Sequence, residues 1–232
     1  MSKKYKGKNC VYCGGSGSTS SDHVIAREFF PVERRQGLPK VPSCDKCNGL
    51  KSDLEHYATT LLPFGSKTLF AKSMLTTYVP PRLGKNKKIK KELTSGLQRI
   101  WVNSDSGLMI PILKLPLHEA KLIELYRMII RGMAFHHWSI IIPQNYFVDV
   151  YSVTIEGLKF FRNNILSDYP KNYYYGNIGD GCFLYGCTRS SEDSGISAWE
   201  MTFYSGVTIV ASSNSGKFEQ QFFCGLTGPE EC

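Results

Sequence analysis

Two Cys-x2-Cys pairs, Cys10-Val11-Tyr12-Cys13 and Cys44-Asp45-Lys46-Cys47, constrain this chain more than any other feature of its sequence. A two-residue gap is a poor span for a disulfide between neighbours, whereas two such pairs about thirty residues apart can bring four thiolates to one tetrahedral zinc ion. The spacing therefore predicts a structural zinc knuckle built by Cys10, Cys13, Cys44 and Cys47. The other four cysteines, Cys182, Cys187, Cys224 and Cys232, have no comparable pairing and read as ordinary thiols. Between the pairs stands Asp22-His23, and Asn48 follows the last cysteine directly. An acid, an imidazole and an amide are thus gathered inside a four-cysteine frame.

With 232 residues the chain has room for a small module and a larger domain. Its net charge of +8 is unevenly spread: residues 1–100 hold 19 lysines and arginines against 7 carboxylates, while residues 101–232 hold 9 against 13. The first part has the electrostatic footprint of a polyanion binder, and the second does not. No apolar window of about eighteen residues exists, which argues against a membrane span. The basic start, Met1 to Lys8, lacks the apolar run of a signal peptide. Cysteines spent on metal agree with a reducing compartment, and a cytoplasmic location is expected.

In chain order, residues 1–9 read as a basic, mobile lead-in, and Gly14 to Ser21 as a Gly/Ser loop. Asp22-His23-Val24-Ile25 reads as a short strand, with Val41-Pro42-Ser43 as its returning partner. A helix is expected from Asp45. Leu50, Leu54 and Tyr57 would form its apolar face, and Asn48, Lys51, Ser52 and Glu55 would look toward the hairpin. Residues 58–80 read as helix or irregular packing ended by Pro80-Pro81. Arg82 to Lys91 is a charge run, either a solvated loop or a phosphate contact through Lys85, Lys87, Lys88, Lys90 and Lys91. Two strands are expected in 97–113 around Ser104–Gly107, and a helix from Pro116 to His137. The stretch 145–227 reads as an antiparallel sheet, with strands at 147–155, 173–175, 182–187, 199–204 and 207–211. Tyr173, Tyr174 and Tyr175 read chiefly as core, with base stacking as the alternative.

Cys10-x2-Cys13, Asp22-His23-Val24 and Cys44-x2-Cys47-Asn48-x2-Lys51, in that order, resemble the HNH endonuclease family in its zinc-bearing form, the ββα-metal module. The resemblance covers about residues 8–58. It implies that His23 is the general base for an attacking water, and that Asp22 and Asn48 hold one divalent ion. The oxygen ligands favour Mg²⁺ or Mn²⁺ over catalytic zinc. Lys51, one turn after Asn48, would neutralise a phosphate oxygen. Glu55 would stand behind the ligands, and His56 would be an auxiliary ligand or phosphate contact. One departure is plain: the asparagine that braces the loop in relatives is absent from Gly37 to Ser43, where Pro39 and Pro42 stand instead.

The expectation is an α+β protein in three parts: an endonuclease module over 1–60, a basic loop and helical connector over 61–140, and a β-rich domain over 141–232. It would hydrolyse nucleic-acid phosphodiesters, DNA above all, in restriction, anti-phage defence or a mobile element. Arg27, Arg34, Arg35, Lys85, Lys87 and Lys88 are the candidate nucleic-acid contacts. A homodimer or a regulatory protein partner is left open. The alternative is a non-catalytic zinc module that binds nucleic acid through its basic face.

Overall fold

Strand β1, Ser20–His23, pairs antiparallel with β2, Lys40–Ser43. Asp22 sits opposite Val41, and His23 opposite Lys40. The strand stops at His23, two residues short of the expected Ile25, and Val24 and Ile25 turn inward, fully buried. Our computed structural model describes residues 5–66, 68–104, 106–167, 172–210 and 218–230. Within the lead-in, Tyr5 is buried and its hydroxyl donates to the Lys40 carbonyl at 3.0 Å, so this part of 1–9 is docked and not loose.

Helix α1, Asp45–Leu61, begins where the sequence predicts, with Cys44 as N-cap and Asp45 favourably placed in the first turn. Its inner face differs from the expected one. Leu54 and Tyr57 are buried, but Leu50 is 51% exposed, and the neighbouring Lys51 takes the inward position. Beyond a 3-10 turn at Leu62–Gly65 come α2, Leu69–Ser73, a π turn at Met74–Tyr78, and α3, Val79–Lys85. Pro80 and Pro81 start α3 and do not end a helix, because first-turn positions need no intrahelical N–H.

The charge run is likewise helical. Helix α4, Lys87–Ser95, is capped by the Asn86 side chain, which accepts from Ile89 N at 3.0 Å. Ile89 and Leu93, one turn apart, are buried, while Lys87, Lys88, Lys90 and Lys91 are exposed. Strands β3, Gln98–Asn103, and β4, Met109–Lys114, form the expected hairpin. Asp105, in its turn, lies outside the described residues.

Helix α5, Glu119–Trp138, packs against α1 and β2, and on its other side against the C-terminal sheet. It approaches the hairpin closely at Gly132, where a Cβ would stand 2.7 Å from Val24 Cγ1. The sheet is antiparallel throughout. Its strands are β5 (Tyr146–Val153), β6 (Tyr174–Ile178), β7 (Phe183–Arg189), β8 (Ser197–Phe203), β9 (Val207–Val210) and β10 (Phe218–Pro229). Their order is β5-β10-β8-β7-β6, with β9 against the first part of β10. The long inner strand β10 is not among the predicted strands, and neither is the short helix α6, Ile155–Phe161.

Alternate residues of the sheet face opposite ways. Trp199, Met201, Phe203 and Phe223 join the main core with α1 and α5, while Ala198, Phe222 and Cys224 pack with Leu158 and Phe161 of α6. The main core also takes in Val24, Ile25, Phe29 and Phe30. Phe29 stacks on Phe203 at 4.1 Å, and the Tyr204 hydroxyl donates to Phe29 O at 2.8 Å. The boundary at 60/61 falls inside α1, and one hydrophobic core takes in residues from all three expected parts. Tyr173, Tyr174 and Tyr175 are 38%, 50% and 61% exposed, so the core reading of this trio does not hold.

Candidate functional site

The four sulfurs of Cys10, Cys13, Cys44 and Cys47 all lie within 4.8 Å of one another. Zinc–sulfur bonds of about 2.3 Å set the edges of a tetrahedron at about 3.8 Å, and the Cys13–Cys44 separation of 3.9 Å agrees. All four thiols are free, so this is a cluster able to hold a metal and not a pair of disulfides. The geometry follows from local structure: a tight turn brings Gly14 N to Cys10 O at 2.8 Å, and the second pair straddles the start of α1. Burial resists ionisation of Cys10, but backbone donors of Cys44, Cys13 and Tyr12 outweigh it and bring the thiol down to about 7. Cys182, Cys187 and Cys224 are scattered, buried and pushed upward by burial, as expected of inert thiols. Cys232 lies outside the described residues.

Asp22 and His23 stand at the open end of β1, beside the helix that carries Asn48. Directly opposite residues of an antiparallel pair share a face, which makes His23 and Lys40 neighbours on one side of the hairpin, and Asp22 and Val41 neighbours on the other. His23 is half-buried, and burial lowers its pKa. The positive charges of Lys40 and Arg27 lower it further, with Asp22 opposing them. The imidazole is thus held neutral and ready to accept a proton. Lys40 was not picked out by its sequence context, since only strand pairing sets it across from His23. Arg27 and Lys40 are both exposed.

Lys51 is fully buried. Its ammonium donates to the His23 carbonyl at 2.7 Å, pairs with Glu55 one turn on, and lies 3.1 Å from Asp22 Oδ2. The expected phosphate contact at Lys51 is therefore corrected: an ammonium surrounded by three protein oxygens and shielded from solvent has no face left for substrate. Burial pushes the Glu55 carboxyl up to about 7, against the pull of Lys51. Asn48 is half-exposed in the first turn of α1, and its side-chain amide makes no hydrogen bond among the described residues. His56 is exposed.

The arginines divide. Arg34 pairs with Asp180 and lies over the Phe70 ring, and Arg35 donates to the Phe30 carbonyl at 3.0 Å. Both fasten the 27–35 segment to its surroundings while keeping part of their surface exposed. Arg82 does the same, donating to Thr59 O at 2.8 Å and Glu28 O at 2.5 Å. Arg27, Lys85, Lys87 and Lys88 remain exposed.

No protein-family model, no curated protein and no solved structure matches this chain. The fold and the site define a mixed α+β protein with antiparallel sheets and a four-cysteine centre able to hold a metal such as zinc. Among the described residues, no helix is long and apolar enough to cross a membrane.

Proposed function

We propose that this protein is a metal-dependent endonuclease that hydrolyses nucleic-acid phosphodiester bonds, DNA foremost. The observation that carries the proposal is the setting of His23: a half-buried imidazole with a lowered pKa, flanked by the exposed cations Lys40 and Arg27, on a hairpin bonded to the helix of Asn48. A neutral imidazole takes the proton of an attacking water, and the two cations hold the anionic phosphate beside it. Asp22 and Asn48 offer oxygen donors of the kind a hard divalent cation takes; Mg²⁺ or Mn²⁺ bound there would stabilise charge growing on the phosphate. The four-cysteine centre is structural in this reading, and the exposed lysines of α4 extend the basic surface along the nucleic-acid backbone.

Nicking of supercoiled plasmid in the presence of Mg²⁺ or Mn²⁺ tests the reaction. We expect nicking by the wild type and none by His23→Ala prepared in parallel. A second reading, a non-catalytic zinc-dependent nucleic-acid binder, draws on the four-cysteine centre and the exposed lysines of α4 alone. Binding without nicking by folded, zinc-loaded protein would establish that reading instead.

A further inference from the structure

Tyr12 lies inside the first cysteine pair, and its side chain is buried. Its hydroxyl donates to Asp22 Oδ2 at 2.6 Å. The same oxygen lies 3.1 Å from Lys51 Nζ, which is held from behind by His23 O at 2.7 Å and by Glu55. A hydroxyl donor from the first cysteine turn and the ammonium of an ion pair from α1 converge on one carboxylate oxygen. The other oxygen, Oδ1, accepts from none of the described residues, and it is not among the sealed polar atoms. Asp22 keeps 11% of its side-chain surface.

We propose that Tyr12 and Lys51 are positioning residues that saturate Asp22 Oδ2 and leave Oδ1 as a single, fixed ligand atom for a divalent cation. This rests on the reading of Asp22 as a ligand of the catalytic ion. The four-cysteine centre then has a second role besides folding: it fixes the Tyr12 phenol, and through it the rotamer of Asp22. A carboxylate with both oxygens free can turn and bind a cation through one or two atoms. With one oxygen held by the Tyr12 hydroxyl and facing the Lys51 ammonium it presents the other, which leaves the rest of an octahedral ion's positions to water and phosphate, as Mg²⁺ requires. Outer partners of this kind orient metal ligands, and losing one typically costs about 10–100-fold in affinity. Removing the Tyr12 hydroxyl alone, while keeping its buried ring, isolates that effect, since neither charge nor packing changes much.

The experiment is a Mn²⁺ titration of the full-length, zinc-loaded protein followed by electron paramagnetic resonance, with zinc content and thermal unfolding recorded on each sample. Wild type, Asp22→Asn and Tyr12→Phe are compared. We expect Asp22→Asn to lose the Mn²⁺ site, and Tyr12→Phe to bind Mn²⁺ about 10–100-fold more weakly with its zinc intact. Should Tyr12→Phe lose zinc or fail to fold, Lys51→Gln replaces it, because the amide keeps a donor but shortens its reach. Wild-type affinity in whichever variant folds, with Asp22→Asn still defective, overturns the positioning role alone. Equal Mn²⁺ binding by wild type and Asp22→Asn overturns the ion site itself, and the inference with it.

Discussion

Lys51 Nζ lies 2.7 Å from the main-chain oxygen of His23, and this bond joins the helix of the site to the strand that carries the imidazole. Because Lys51 is wholly buried and also faces Asp22 and Glu55, its removal leaves two carboxylates without their cation. Breaking a buried ion pair from one side typically costs about 3–5 kcal/mol. Lys51→Ala should therefore lower stability by about that amount in urea unfolding. A loss below about 1 kcal/mol, the usual worth of an exposed pair, would show that the ammonium is solvated.

Thiol chemistry should separate the cysteines into two groups. Zinc-loaded native protein should contain about one zinc per chain, and these seven cysteines should react slowly with a thiol reagent, since Cys182, Cys187 and Cys224 are buried and Cys10, Cys13, Cys44 and Cys47 would hold the metal. A strong chelator should expose Cys13, Cys44 and Cys47 first, with the sheet cysteines reacting only on unfolding. Cys44→Ser should yield misfolded protein with little zinc. Zinc near zero in folded protein would remove the knuckle assignment.

His23 carries the pH prediction. Burial, Lys40 and Arg27 all lower its pKa, so the acid limb of the pH–rate profile should fall below the ordinary histidine value of about 6.5. Lys40→Ala takes away a positive neighbour, which eases protonation and should move that limb to higher pH. The His23 ring resonances in NMR should titrate upward in the same variant. His23→Ala itself should lose about 10²–10⁴-fold in rate while keeping zinc and fold. High Mn²⁺ should partly rescue Asp22→Ala and Asn48→Ala but not His23→Ala. An unshifted His23 titration in Lys40→Ala would show that the two side chains do not interact.

Lys85 at the end of α3 and the lysines of α4 can be removed without touching the buried face of α4, Ile89 and Leu93. Replacing Lys85, Lys87, Lys88, Lys90 and Lys91 with Ala should leave the fold intact. It should also flatten the dependence of log affinity on log salt by about 0.9 for each phosphate no longer neutralised. An unchanged slope would make the run a solvated helix and nothing more.

Features set by neighbouring residues were legible in the sequence: the two cysteine turns, the start of α1 at Asp45, the β1–β2 pairing and most strands of the sheet. Cysteine spacing, strand alternation and helical period are local, and local chemistry enforces them. Strand β10 was hidden because it lies inside the sheet, between β5 and β8, packed on both faces, with Gly225, Gly228 and Pro229 reading as breakers; such a strand shows no simple alternation. Pro80-Pro81 misled for a related reason, since a proline's effect depends on whether it enters a helix or interrupts one. The roles of the basic residues were the least legible. A lysine or arginine looks the same in sequence whether it meets phosphate or a buried oxygen. Only the packing of α1 against the hairpin turned Lys51 inward, only the docking of the 27–35 segment occupied Arg34 and Arg35, and only strand register set Lys40 beside His23. Charge and spacing belong to the chain, but which charge remains free for a ligand is decided by the long-range packing that buries the others.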